Sequence, residues 1–90
     1  MGDKIQYVIF GMQGCKPCAN AKEYLRVLGI EFEYVDLLES PDAQEYIVKE
    51  LGLRSVPQIF EVVYGEGEPA YMSHLGGYDD LRDHLQGNMQ

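Results

Sequence analysis

The sequence predicts an α/β fold, a mixed four-stranded sheet flanked by helices in the order β-α-β-α-β-β-α. Three observations lead there. Short apolar runs rich in β-branched and aromatic residues alternate with stripes of apolar residues at three- and four-residue steps. Glycine or proline punctuates the changes from one period to the other.

Ile5-Gln6-Tyr7-Val8-Ile9-Phe10 is nearly continuous in its apolar character, which suits a strand covered on both faces. Gly11 and Gly14 bracket a short loop. From Cys15 onward, Cys18, Ala21, Leu25 and Leu28 make the stripe of an amphipathic helix, and Gly29 is placed to stop it. Phe32 to Leu37 is a second strand. Ser40-Pro41-Asp42 reads as a helix start: Ser caps, Pro takes the first turn, and Asp meets the positive helix end. That helix carries Ala43, Tyr46, Ile47 and Leu51 on one face and ends at Gly52. Gln58 to Tyr64 and Ala70 to Leu75 are strands joined by the turn-rich stretch Gly65 to Pro69, hence a hairpin. Gly76-Gly77 breaks the second of these, and Tyr78, Leu81 and Leu85 mark a last short helix. The first strand-helix-strand unit should be parallel and right-handed, and the last two strands antiparallel neighbours.

Ninety residues make one small domain with one core. With 15 acidic residues against 7 basic, a formal net charge of −8 and no Lys/Arg cluster, the chain is unsuited to nucleic acid. No segment reaches the roughly 18–20 apolar residues of a membrane span, and Met1-Gly2-Asp3-Lys4 leads into a strand without the apolar stretch of a signal peptide. Gln6 stands where a myristoylation motif wants Ser or Thr. These observations predict a soluble, cytoplasmic protein.

The only two cysteines, Cys15 and Cys18, lie three residues apart between a strand and a helix. In an intracellular chain that arrangement reads as a redox pair, because thiol exchange needs one exposed thiolate and a second thiol in reach. On a helix such residues are about 5–6 Å apart at Cβ, so a small adjustment joins their sulfurs. Cys15, at the helix N-terminus with Lys16 beside it, is the expected nucleophile; Cys18, one turn deeper, is the expected resolving thiol. Pro17 removes a backbone donor and stiffens the turn.

Cys15-Lys16-Pro17-Cys18, then Ser55-Val56-Pro57-Gln58-Ile59-Phe60, then Gly76-Gly77-Tyr78-Asp79-Asp80-Leu81 together resemble the three signature regions of glutaredoxins, including the small ones of bacteria and their phages. The resemblance runs from about Ile5 to Leu85 and implies the thioredoxin fold. It implies glutathione-dependent reduction of protein disulfides and of glutathione mixed disulfides, with glutathione as co-substrate and no tightly bound cofactor. Disulfide-containing proteins, ribonucleotide reductase among them, would be the clients of a monomeric enzyme. By the same resemblance Pro57 is cis, turning the backbone of Val56 toward the substrate, where it pairs as an edge strand would. Gly77, Tyr78, Asp79 and Asp80 would hold the γ-glutamyl end of glutathione, backbone N–H groups taking its carboxylate and an Asp its amine. Read alone, Asp79 and Asp80 also suit plain helix capping.

Where many glutaredoxins have Lys three residues before the first cysteine, this chain has Met12, which leaves Lys16 and Arg54 to supply the missing charge. The acidic hairpin around Glu66 and Glu68 reads as a loop longer than the family's tight turn. His74 and His84, with nine residues between them, miss the usual H-x₃₋₅-H zinc spacing. Two other readings stay open: a redoxin recharged by thioredoxin reductase, against which the Tyr78-Asp79-Asp80 patch argues, and a module binding an iron–sulfur cluster through Cys15 and glutathione.

Overall fold

The computed structural model describes residues 4–88; the expectations for Met1-Gly2-Asp3 lie outside the described residues. The chain forms β1 (Lys4–Gly11), α1 (Lys16–Val27), β2 (Phe32–Asp36), α2 (Pro41–Glu45) running on into a π-helical turn (Tyr46–Glu50), β3 (Gln58–Gly65), β4 (Glu68–Gly76) and α3 (Tyr78–Asn88). The strands make one sheet in the order β2-β1-β3-β4. β1 and β2 are parallel, with Gly11 opposite Asp36. β3 is antiparallel to both β1 and β4. This is the expected thioredoxin-like arrangement.

Alternation along the strands builds two cores. Tyr7 and Ile9 of β1 and Ile59 of β3 point to the face covered by Ala21 and Leu25 of α1 and Leu81 and Leu85 of α3. Ile9, Leu25, Ile59 and Leu81 are fully excluded from solvent. Each such side chain contributes about 1.5–3 kcal/mol by burial, so this face holds the first helix and the sheet together. The opposite face is smaller: Leu37, Ile47 and Phe60 form its centre, with Phe10, Met12, Leu53 and Val56 packed around them. Ile5, expected to be buried, shares the side of Tyr7 and Ile9 but lies near the start of β1 and is 52% exposed.

Other departures from the sequence reading are local. The second helix widens at its end, where Leu51 N–H bonds to Tyr46 O in a five-residue step. That turn rotates Leu51 off the apolar face, leaving it 40% exposed, and Leu53 packs against the core instead. Ser40 occupies the N-cap position of α2 without a side-chain capping bond. Leu28 is the C-cap of α1 and lies 38% exposed beyond the buried stripe. Tyr71, at a strand position, faces solvent. The β3–β4 hairpin is tight rather than long: Gly65 pairs with Glu68, and only Glu66 and Gly67 lie between. Both have positive φ, 55° and 86°, as a type I′ turn needs, which closes the strands two residues earlier than the acidic composition suggested.

Candidate active site

The first cysteine sits where strand becomes helix. Cys15 is the N-cap of α1, with extended backbone (φ −88°, ψ 115°), and its sulfur accepts the backbone N–H of Cys18 at 3.1 Å. Gly14, at φ +86°, makes the turn that brings the chain into this cap. Cys15 and Cys18 are joined as a disulfide across a Cα–Cα distance of 5.2 Å, within the usual range for such bonds. Cys15 is partly exposed, whereas Cys18 is 1% exposed. One sulfur can therefore meet an incoming molecule and the other cannot.

Once the disulfide is reduced, the Cys18 N–H lies ready for a Cys15 thiolate. A hydrogen bond to a charged acceptor contributes about 1.5–3 kcal/mol. The helix dipole adds about 0.3–1 kcal/mol at an exposed end. The single N–H is thus the larger of the two local effects that favour the anion. Lys16, the first residue of α1, is exposed beside it.

The second motif reaches this sulfur, and the third adjoins the second. The Val56-Pro57 peptide bond is cis, and Val56 O lies 3.8 Å from Cys15 Sγ. Gln58, 7% exposed, braces this turn from behind: its Nε2 donates to Ser55 O at 2.9 Å and to Ser55 Oγ at 3.1 Å. Its Oε1 lies 2.7 Å from His74 Nε2 of β4. The other histidine, His84, places Nε2 3.0 Å from Glu61 Oε2, which also accepts the Tyr7 hydroxyl at 2.8 Å. Burial first, then the Glu61 carboxylate, push the Tyr7 pKa above the ordinary tyrosine value. Arg54 is exposed just before this turn.

The glycine motif crosses the end of β4 next to Pro57; a methyl group placed on Gly77 would come 3.8 Å from Pro57 O. Gly76 has φ +120°, and a side chain there would run into the Asp80 carboxylate. Asp80 Oδ2 accepts the Gly77 N–H at 2.9 Å, the reciprocal half of a capping box at the start of α3. Capping by Asp80 is therefore real, with one carboxylate oxygen committed to it. Asp79 is exposed and lies 3.4 Å from Arg82. Tyr78 meets Tyr24 edge-on at 6.1 Å, with Arg82 over its ring at 5.3 Å.

Two features of the site escaped the sequence reading. Gly11 read as a loop bracket, but it ends β1 with two groups crowded against it. A Cβ on Gly11 would lie 2.7 Å from Tyr34 Oη and 2.9 Å from Cys18 Sγ. Burial, with Asp36 nearby, raises the pKa of Tyr34, and Lys22 Nζ sits 4.1 Å above its ring. The signal available in sequence was only a glycine at the end of a strand. The bracing role of Gln58, inside the second motif, leaves no trace in sequence because its Oε1 partner, His74, comes from β4.

The chain has recognisable relatives. A family model described as Glutaredoxin matches residues 7–65. Glutaredoxin 1 of Escherichia coli is 30% identical over 92 aligned positions, which cover 94% of this chain and 98% of that protein. The Gene 56 protein of Mycobacterium phage L5 is 37% identical over 51 residues, 57% of this chain and 50% of its own length, so the chain spans about half of that relative. The crystal structure of a buckwheat glutaredoxin–glutathione complex superimposes with a TM-score of 0.63 at 25% identity, covering 90% of this chain and 69% of that one.

Proposed function

This chain belongs to the glutaredoxin family of thiol–disulfide oxidoreductases, and from that premise we propose that it is a glutathione-dependent dithiol enzyme reducing protein disulfides and glutathione mixed disulfides. The observation that carries the reading is that the three motifs adjoin in series: Cys15 Sγ stands 3.8 Å from Val56 O, and Gly77 abuts Pro57 O.

In the proposed reaction the Cys15 thiolate attacks the glutathione sulfur of a mixed disulfide. The client leaves as a thiol after taking a proton, and Cys15 is left glutathionylated. A second glutathione thiolate then attacks the bound glutathione sulfur, freeing Cys15 as a thiolate and releasing glutathione disulfide. With a protein disulfide, Cys15 instead joins the client. Cys18 then displaces it, forming the Cys15–Cys18 bond and releasing the client fully reduced.

We assign the peptide backbone of glutathione to Val56 beside Pro57, paired as an added edge strand. Its γ-glutamyl carboxylate goes to the free N–H groups in the first turn of α3, at Tyr78 and Asp79. Asp79 takes the amine, since Asp80 already spends an oxygen on Gly77. Lys16 and Arg54 are assigned to the glycine-end carboxylate, a charge that Met12 cannot meet. Disulfide-bearing proteins such as ribonucleotide reductase are the clients, in the cytoplasm. The buckwheat relative was solved with glutathione, which supports the assignment.

Met12 and the cap bond of Asp80 favour one rival reading, recharging by thioredoxin reductase. The test is turnover of a glutathione mixed disulfide with glutathione, glutathione reductase and NADPH, run beside the same assay driven by thioredoxin reductase. Activity with the glutathione system alone, lost in Cys15→Ser, is expected. Activity with thioredoxin reductase alone would reject the glutathione reading.

A further inference from the structure

The resolving cysteine has a chemical problem. Cys18 is 1% exposed, and burial of a thiol disfavours the thiolate that must attack Cys15. Its backbone N–H is directed at Cys15 Sγ, so that donor serves the other sulfur.

A side-chain donor stands close by. Tyr34 of β2 points its hydroxyl at the face of Gly11 on which Cys18 also rests: the space a Gly11 side chain would fill is bounded by Tyr34 Oη at 2.7 Å and Cys18 Sγ at 2.9 Å. The two atoms therefore flank one small gap that only glycine leaves open. We propose that the Tyr34 hydroxyl donates a hydrogen bond to Cys18 Sγ during the resolving step, and that Gly11 is glycine so that this pair can approach.

The step balances. Cys18 gives up its proton, its sulfur takes the Tyr34 O–H hydrogen bond, and the thiolate attacks Cys15 Sγ. The Cys15–partner bond breaks as the Cys15–Cys18 bond forms, and the departing partner thiolate takes up a proton. Tyr34 keeps its own proton throughout. Burial and Asp36 both disfavour its ionisation, so it stays a donor at neutral pH. Charged groups near the pair are Lys22, whose ammonium lies over the Tyr34 ring, and Asp36 on β2; Cys15 at the cap of α1 is neutral while its sulfur is held in the mixed disulfide, and β1 contributes the uncharged Gly11.

The inference rests on Cys18 as the resolving thiol but not on glutathione as the reductant, and its first readout contains neither glutathione nor client. In Cys15→Ser protein the sole thiol is Cys18. Its ionisation is followed by thiolate ultraviolet absorbance against pH, with and without Tyr34→Phe, each referenced to its counterpart in which Cys18 is also Ser. Removing one hydrogen bond to a charged acceptor should move the Cys18 midpoint upward by about one pH unit. The second readout is closure of the glutathionylated dithiol protein by rapid quench, in which the Tyr34→Phe pH–rate profile should move upward by a similar amount. A midpoint and a profile that stay in place, or that move down, would overturn the proposal.

Discussion

Gly11→Ala adds a single methyl group at the point where β1, β2 and α1 meet, and the structure says what it would strike. The new Cβ would stand 2.7 Å from Tyr34 Oη, 2.9 Å from Cys18 Sγ and 3.0 Å from Tyr34 Cε1. Cys18 cannot yield easily, because it is 1% exposed and its sulfur is tied to Cys15. The tyrosine hydroxyl is the far end of a side chain and can tilt, at the expense of its packing on the main core. Overpacking of this kind costs about 1–3 kcal/mol, so a loss of about 2 kcal/mol is expected. The assay is urea unfolding of the oxidised protein, where a slope of about 1–3 kcal/mol/M would lower the midpoint by about 1 M. Tyr34→Phe removes the closest of the three contacts, so the same Gly11→Ala change should cost about 1 kcal/mol less in that background. A cost under about 0.5 kcal/mol in the parent, or equal costs in both backgrounds, would refute the packing argument.

Further expectations follow from other parts of the molecule. Cys18→Ser should keep deglutathionylation and lose protein-disulfide reduction, measured in parallel assays; loss of both would count against Cys15 acting alone. Asp80→Ala removes the bond to Gly77 N–H, and thermal unfolding should report a loss of about 1 kcal/mol. Asp79→Asn should raise the KM for a glutathione mixed disulfide several-fold with little change in melting temperature, since Asp79 is exposed and only loosely paired. For Tyr7, whose folded-state pKa is raised, the folded protein holds the phenolic proton after the unfolded chain has begun to lose it near pH 10. Unfolding free energy therefore falls as pH rises above about 10, and Tyr7→Phe should flatten that alkaline limb in denaturation curves collected across it.

Much of the architecture is visible in one sequence because period and punctuation agree. The alternation of Tyr7 with Ile9, the Cys18-Ala21-Leu25 stripe and Gly29 each carry a local signal that the packing reinforces. The three site motifs are also legible, since each is contiguous. What sequence could not display was contact between elements. Leu51 looks like a helix-face residue until a five-residue step turns it outward. Glu66 looks like part of a long acidic loop, whereas the twist of β3 and β4 selects a two-residue turn with positive φ. Asp80 serves as a cap because Gly77, the residue between β4 and α3, turns its N–H to meet the carboxylate. The Gly11–Tyr34–Cys18 contact joins residues from three elements and leaves no periodic trace.

In the proposed function Cys15 takes glutathione and the residues of the later motifs hold it. Cys18→Ser protein treated with glutathione disulfide should trap a single adduct on Cys15, and backbone amide chemical shifts of the adduct can be compared with those of the free protein. The largest changes are expected at Val56 and at Gly77, Tyr78 and Asp79 as well as around Cys15. An adduct whose shifts change only in the loop and first turn around Cys15 would show glutathione attached but not held, and would rule out a binding role for the later motifs.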